Sequence, residues 1–277
     1  MDRTKIAWTD ATWNPIVGCS KISAGCANCY AERMDKRIRA ARGEEWREWS
    51  AANSEYNVRV YPERIEQPLH WKKPRRIFVN SMSDLFHPFV PYWFINAVFE
   101  GMGNAPQHTF QVLTKRPEQM LKWYRITNFF GRRDYLSNVW LGVSVENQRA
   151  ADERIPLLLQ MPAAVRFVSC EPLLDMIDLS KWFADELPDV DSPRHWQKTA
   201  NAIGINWVIA GGESGPKFRP MNLDWARSLR DQCVGADVPF FFKQESGLRP
   251  ATNPMLDGVE WHQFPRGKTT RRKSAVV

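Results

Sequence analysis

Histidine is scarce in this chain. His70, His87, His108, His195 and His262 are the five in 277 residues, and none stands at finger-like spacing from the clustered cysteines. Cysteine is scarce too, and its count of five is odd, which argues against a disulfide framework. No run of about eighteen apolar residues occurs, so no transmembrane helix and no membrane partner is expected. The opening Met1-Asp2-Arg3-Thr4-Lys5 leads into no apolar targeting segment, so a reducing cytoplasm is the expected setting.

What is present is concentrated. Cys19, Cys26 and Cys29 are spaced Cys-x6-Cys-x2-Cys, while Cys170 and Cys233 are far away. Thiolates are soft ligands suited to iron–sulfur clusters, zinc or copper(I). A structural zinc site normally closes with four protein ligands, whereas three leave one position open. A metal or cluster, a redox pair, and ordinary buried cysteines are the readings the triplet allows.

Basic residues outnumber acidic ones, 38 to 31, giving a net charge of +7. That favours a polyanionic partner, DNA or a nucleotide first. Part of the excess sits in a tail, Arg266, Lys268, Arg271, Arg272 and Lys273, expected to be flexible. Thirteen tryptophans are mostly core candidates, although exposed ones can stack on bases.

Along the chain, residues 5–18 predict a short strand ending just before Cys19, followed by a helix over about 27–42. Residues 43–75 show no clean period and read as an irregular insertion. Then short apolar runs alternate with helical segments. Strands are predicted at 76–80, 109–113, 139–145, 165–169, 207–210 and 238–242. Helices are predicted at about 91–102, 117–124, 148–159 and 223–233. This is the pattern of βα units and a parallel sheet: α/β, a partial (βα)6-type barrel with a possible seventh strand. The barrel domain is drawn over residues 1–247 and a C-terminal extension over 248–277. Nearly every predicted strand ends in a polar cluster, at the rim where βα barrels carry their active sites. Any single cluster, Asn147 for instance, also reads as a helix cap.

A strand feeding a three-cysteine loop ahead of such a barrel resembles the radical S-adenosylmethionine superfamily. Ile6-Ala7-Trp8-Thr9-Asp10, Trp13-Asn14-Pro15 and Gly18-Cys19 through Cys29-Tyr30-Ala31 are more closely similar to the phage Gp37/Gp68 family. Thr114-Lys115-Arg116-Pro117, Gly142-Val143-Ser144-Val145-Glu146 and Gly211-Gly212-Glu213-Ser214-Gly215 carry the same resemblance. It implies a four-iron four-sulfur cluster on Cys19, Cys26 and Cys29. S-adenosyl-L-methionine would bind the fourth iron and, cleaved by one electron, would yield a 5′-deoxyadenosyl radical. A separate electron donor is implied. The superfamily's usual spacing is Cys-x3-Cys-x2-Cys, and an aromatic residue usually precedes the last cysteine, where this chain has Asn28 with Tyr30 one place beyond. The superfamily's Gly-Gly-Glu tends to end the second strand, whereas here it ends the sixth.

The rim residues are assigned accordingly. Ser81, Ser83, Asp84, Thr114, Ser144 and Tyr30 are cofactor candidates. Lys115, Glu171, Glu213 and Lys243 are catalytic candidates. Arg116, Glu146, Gln244 and Glu245 are substrate candidates. Cys170 could supply a hydrogen atom late in a radical reaction, or could simply be a small buried residue. The resemblance further implies thymidine hypermodification in phage DNA, with the host cytoplasm as the setting. Specifically, it implies isomerisation of a glycyl group N-linked to the thymine methyl carbon into the Cα-linked form. Two alternatives stand beside this: a radical lyase repairing pyrimidine lesions, and a nucleic-acid-binding protein with a structural zinc.

Overall fold

The structure, a computed structural model, describes residues 4–131, 135–183, 204–251 and 254–265. In chain order it begins with β1 (Ala11–Trp13), β2 (Ile16–Val17), α1 (Tyr30–Ala41), α2 (Ser54–Asn57) and β3 (Arg59–Val60). The repeating part follows: β4 (Arg76–Val79), α3 (Tyr92–Gly103), β5 (Thr109–Thr114), α4 (Pro117–Thr127), β6 (Val139–Ser144) and α5 (Gln148–Leu158). It continues through β7 (Val165–Cys170), β8 (Trp207–Gly211), α6 (Leu223–Gly235) and β9 (Phe240–Gln244).

Seven strands form one sheet in the order β1-β4-β5-β6-β7-β8-β9, every neighbouring pair parallel. The sheet curls into a half-barrel. β6 and β8 are buried on both faces, which is why they read as unbroken apolar runs. Alternation along each strand sorts the side chains. Leu141, Val143, Val168, Cys170, Val208, Ala210, Phe240 and Phe242 join the core against the helices. Trp8, Phe78, Trp140, Phe167, Trp207, Ile209 and Phe241 form a second core on the concave face. Trp207 lies at its centre, 5.7 Å from Trp140 and 5.6 Å from Phe167 between ring centroids. Much of the tryptophan surplus therefore fills the protein interior, although Trp93 is exposed.

Gly142 makes that filling possible. A Cβ there would lie 2.5 Å from the Phe167 ring. Gly142→Ala is therefore expected to lower stability by about 1–3 kcal/mol through overpacking. Adding Phe167→Leu should recover part of the loss. Chemical denaturation of the two single variants and the double variant checks both expectations.

Helix ends follow local chemistry. Asn147 is the N-cap of α5, its Oδ1 accepting from Ala150 N at 2.9 Å. Asn222 caps α6 by accepting from Asp224 N. Pro117 opens α4, and Asn128 closes it with φ of 45°, a conformation asparagine tolerates better than most residues.

One expectation needs correction. The strand expected to run up to Cys19 is split. β1 enters the main sheet, whereas β2 pairs antiparallel with β3 from the insertion. Pro15 cannot donate to a ladder, and Asn14 Oδ1 accepts from Ser81 Oγ and Met82 N, both at 3.1 Å. Cys170 completes β7 and faces the helix-side core that includes Cys233. It therefore points away from the concave face, as strand alternation requires. The chain after residue 247 also returns to the barrel. Phe242 N donates to Trp261 O at 2.7 Å, and Phe264 packs 5.3 Å from Trp207 between centroids. The basic tail from Arg266 onward lies outside the described residues. No helix among the described residues is long and apolar enough to cross a membrane.

Candidate functional site

A cavity opens at the C-terminal ends of the parallel strands. Its floor is Ile6, Trp8, Phe78 and Leu113, the upper edge of the concave-face core. Its wall takes Cys19, Cys26 and Cys29 from one loop. Asn80, Ser81, Ser83 and Asp84 follow β4, and Thr114, Lys115 and Arg116 lie at the end of β5. Ser144, Ser169, Glu171, Glu213 and Lys243 complete the circuit from β6 to β9. Parallel strands end at one rim, so residues far apart in sequence converge there.

The cysteine loop is held from several sides. Gly18 has φ of 91° and lies against the Asn57 carbonyl, leaving no room for a Cβ. Arg116 reaches over from β5. Its guanidinium donates to Ser20 O at 2.7 Å, Ser20 Oγ at 3.2 Å, Cys19 Sγ at 3.4 Å and Asp84 Oδ2 at 3.1 Å. Glu146 Oε1 accepts from Gly25 N at 3.3 Å while its other oxygen pairs with Arg154 at 2.9 Å. Glu213 accepts from Asn28 Nδ2 at 2.9 Å and from Arg219. Arg33 of α1 donates to Ser214 O at 2.9 Å, beside Gly215 with φ of 110°. The glycine-rich stretch after β8 is thus a cradle for the loop and the start of α1.

Burial and positive neighbours act in opposite directions on this loop's thiols, and burial prevails at Cys19 and Cys29. Cys29 sits at the N-terminus of α1. Burial raises its thiol above the usual range, against the opposing pull of the Glu32 and Ala31 N–H groups and the charge of Lys115. Burial pushes the Cys19 thiol up to about 12, against the opposing pull of Arg116. A coordinating metal would displace such a proton. Burial works to raise Glu213, but bonds from Arg219 and Asn28 outweigh it and hold the carboxyl below its usual range. Glu146 is likewise depressed: burial opposes, and Ser23, Arg154, Lys115 and Gly25 N prevail. No three His, Cys, Asp or Glu side chains among the described residues are grouped to hold a single metal ion.

The candidates divide on this geometry. Tyr30, Ser81, Ser83, Asp84, Thr114, Lys115, Arg116, Ser144, Glu171, Glu213 and Lys243 all line the cavity. Glu146, Gln244 and Glu245 do not line it. Glu146 is buried beneath the cysteine loop, Gln244 donates to Gly212 O at 2.9 Å, and Glu245 is exposed. Glu146 thereby anchors the cysteine loop, and Gln244 anchors the turn at Gly212. Several lining groups already have protein partners. Thr114 Oγ1 donates to Asp84 Oδ1 at 2.7 Å, Tyr30 Oη to Ser81 O at 2.7 Å, and Ser83 Oγ to Ile16 O at 3.0 Å. Lys243 pairs with Glu171. Lys115 Nζ donates to Ser144 Oγ at 2.8 Å.

Sequence reasoning missed Asn80, Ser169, Arg219 and His87. Ser169 was legible in the alternation Phe167, Ser169, Glu171, which puts it on the cavity side of β7. Asn80 follows β4 with φ of 61°, and its buried Nδ2 has no hydrogen-bond partner. His87 carried no local signal. Its Nδ1 accepts from Phe89 N at 3.2 Å, which leaves the proton on Nε2 for Ser20 Oγ at 2.8 Å. Burial and Arg116 push His87 down from 6.5 to about 4. As pH falls through that window the unfolded chain binds the proton first, so stability declines from about 6.5 towards 4. The apoprotein's melting temperature should fall across this range, and less steeply in His87→Gln. Equal slopes by differential scanning calorimetry would remove His87 as a cause.

A family model described as "Protein of unknown function (DUF5131)" matches residues 3–265. No curated protein and no solved structure matches.

Proposed function

We propose that this chain, which belongs to the DUF5131 family, is a radical S-adenosylmethionine enzyme. One observation carries the reading. Cys19, Cys26 and Cys29 line a single cavity at the C-terminal mouth of a parallel half-barrel. The donor set fits the cluster. A four-iron core offers a separate iron to each thiolate, and Arg116, Lys115 and the α1 N-terminus supply positive potential beside them. Cys19, Cys26 and Cys29 would hold the cluster, and the polar rim after β4 and β5 would hold the cofactor. When bound, these groups would supply a one-electron cleavage that yields a 5′-deoxyadenosyl radical. The protein's own part is to orient the ligand and exclude competing reactions. Trp8, Phe78 and Leu113 close the cavity beneath, and Tyr30 stands at its side.

For the substrate we carry forward a thymidine-derived base bearing a glycyl group, isomerised from N-linked to Cα-linked, in DNA or as a nucleotide. Two features support it. The Glu171–Lys243 pair offers one wall a partner for an ammonium and a partner for a carboxylate. The apolar floor suits a flat ring. A base in duplex DNA would have to be flipped out to reach that floor.

The test is anaerobic reconstitution with iron and sulfide, followed by a one-electron reductant and S-adenosyl-L-methionine. Formation of 5′-deoxyadenosine is expected. Stoichiometric zinc without iron would overturn the reading in favour of a structural zinc protein. With DNA carrying glycyl-thymidine, nuclease digestion should give a nucleoside of equal mass and changed retention. An unmoved peak alongside 5′-deoxyadenosine would reject this substrate, and lesion-bearing DNA would then be tried.

A further inference from the structure

Four of the five cationic or anionic partnerships at the cavity wall are complete. Lys21 pairs with Glu32 at 2.9 Å, Arg116 with Asp84 at 3.1 Å, Lys243 with Glu171, and Glu213 with Arg219. Lys115 is the exception among the described residues. Its ammonium donates to a neutral acceptor, Ser144 Oγ, at 2.8 Å. Ser144 in turn donates its own proton to Glu171 O at 3.1 Å, so the hydroxyl is oriented to receive the lysine. The lysine stem runs along the cysteine loop, where a Cβ on Gly25 would lie 3.4 Å from Lys115 Cε. A cation is thus fixed in place beside the thiols with no ion-pair partner of its own among the described residues; the nearby Glu146, whose carboxyl Lys115 helps to hold down, is already committed to Arg154 and Gly25 N. Leaving a cation partly buried and unmatched is costly, and a neutral side chain could have filled the same space.

The reading proposed above supplies the missing charge, and the inference rests on it. A four-iron core with two positive charges, bound by three thiolates, carries one net negative charge. The electron it accepts from an external one-electron donor makes two. We propose that Lys115 is the counter-charge of this cluster, a positioning residue that favours its reduced state. No bond forms or breaks at Lys115. Its ammonium stabilises the added electron by Coulomb attraction across a cavity partly shielded from water.

The experiment is a mediated redox titration of the reconstituted protein followed by electron paramagnetic resonance. Parent, Lys115→Met and Lys115→Arg are compared, with iron and sulfide counted in each. Lys115→Arg should match the parent. In Lys115→Met, reduction should be about tenfold less favourable, a midpoint roughly 59 mV more negative. An unchanged midpoint in Lys115→Met overturns the proposal, and so does an equal shift in both variants, which would report packing rather than charge. If Lys115→Met does not retain its cluster, Ser144→Ala decides. Releasing the ammonium should make its midpoint more negative, and a midpoint equal to the parent's overturns the proposal. A parent protein that takes up no iron defeats the proposed function itself, a result distinct from an iron-loaded parent whose potential ignores Lys115.

Discussion

Cys26→Ala protein, reconstituted anaerobically with iron and sulfide, is expected to stay colourless. The parent should turn brown and bind about four irons per chain. The variant should hold little iron and form no 5′-deoxyadenosine from S-adenosyl-L-methionine. Cys26 is the most informative of the three proposed ligands. Cys19 receives a bond from Arg116, and Cys29 sits at the start of α1, so replacing either also disturbs the protein. Cys26 Sγ has only a 3.9 Å contact with Ser23 Oγ. Its loss should therefore leave the apoprotein's melting temperature within about 2 °C of the parent. A Cys26→Ala protein that loads iron fully and keeps its colour would end the cluster assignment. A colourless parent with zinc would end it as well.

Asp84→Ala is expected to lower stability by about 3–5 kcal/mol. Asp84 is buried with its ion-pair partner Arg116. Its two oxygens also accept from Thr114 Oγ1 at 2.7 Å, Phe86 N at 3.0 Å and Lys115 N at 3.1 Å. Removing the carboxylate leaves the guanidinium buried and uncompensated, which is the expensive way to break an ion pair. At about 2–4 °C per kcal/mol for a chain of this size, the melting temperature should fall by roughly 10 °C. Asp84→Asn keeps an acceptor for Thr114 and should cost less than the alanine. The damage should also reach the cysteine loop, because Arg116 grips Ser20 and Cys19 from the same position. Iron uptake by Asp84→Ala should therefore be slower and less complete than in the parent. A loss below about 1 kcal/mol would show that Arg116 does not depend on this carboxylate.

Asp84 also shows where reading the chain residue by residue stops. It stood out as a polar residue after a strand, and a cofactor ligand was the natural assignment. Three-dimensional packing also gives its oxygens to Thr114, Arg116 and two backbone N–H groups. Glu146 and Glu213 tell the same story. Each looked like a rim carboxylate, and each anchors the cysteine loop, at Gly25 N and at Asn28 respectively. Arg116 looked able to grip a substrate anion, and it holds the loop backbone. The contacts that hold the cysteine loop are distant in sequence: Asn28 and Glu213 are 185 positions apart, and Arg116 and Ser20 are 96 apart. Propensity and periodicity report only on neighbours within a turn or a strand, so no local signal pairs such groups.

The amino-acid sequence by itself determined the seven parallel strands, the helices between them and the three-cysteine loop at one rim. Those features are written in short-range patterns: apolar runs for strands buried on both faces, proline and asparagine at helix ends, and a spacing of thiols. Tertiary structure alone decided which polar side chains remain available to a ligand. It also returned Trp261 and Phe264 to the barrel. Strand alternation fixes which side of the sheet a residue faces. Whether a charged group on that side meets a partner or a ligand is settled by burial, because a buried charge must find compensation wherever the fold brings it. At this rim Lys115 has no ion-pair partner of its own among the described residues, because the nearby Glu146 is committed to Arg154 and Gly25 N.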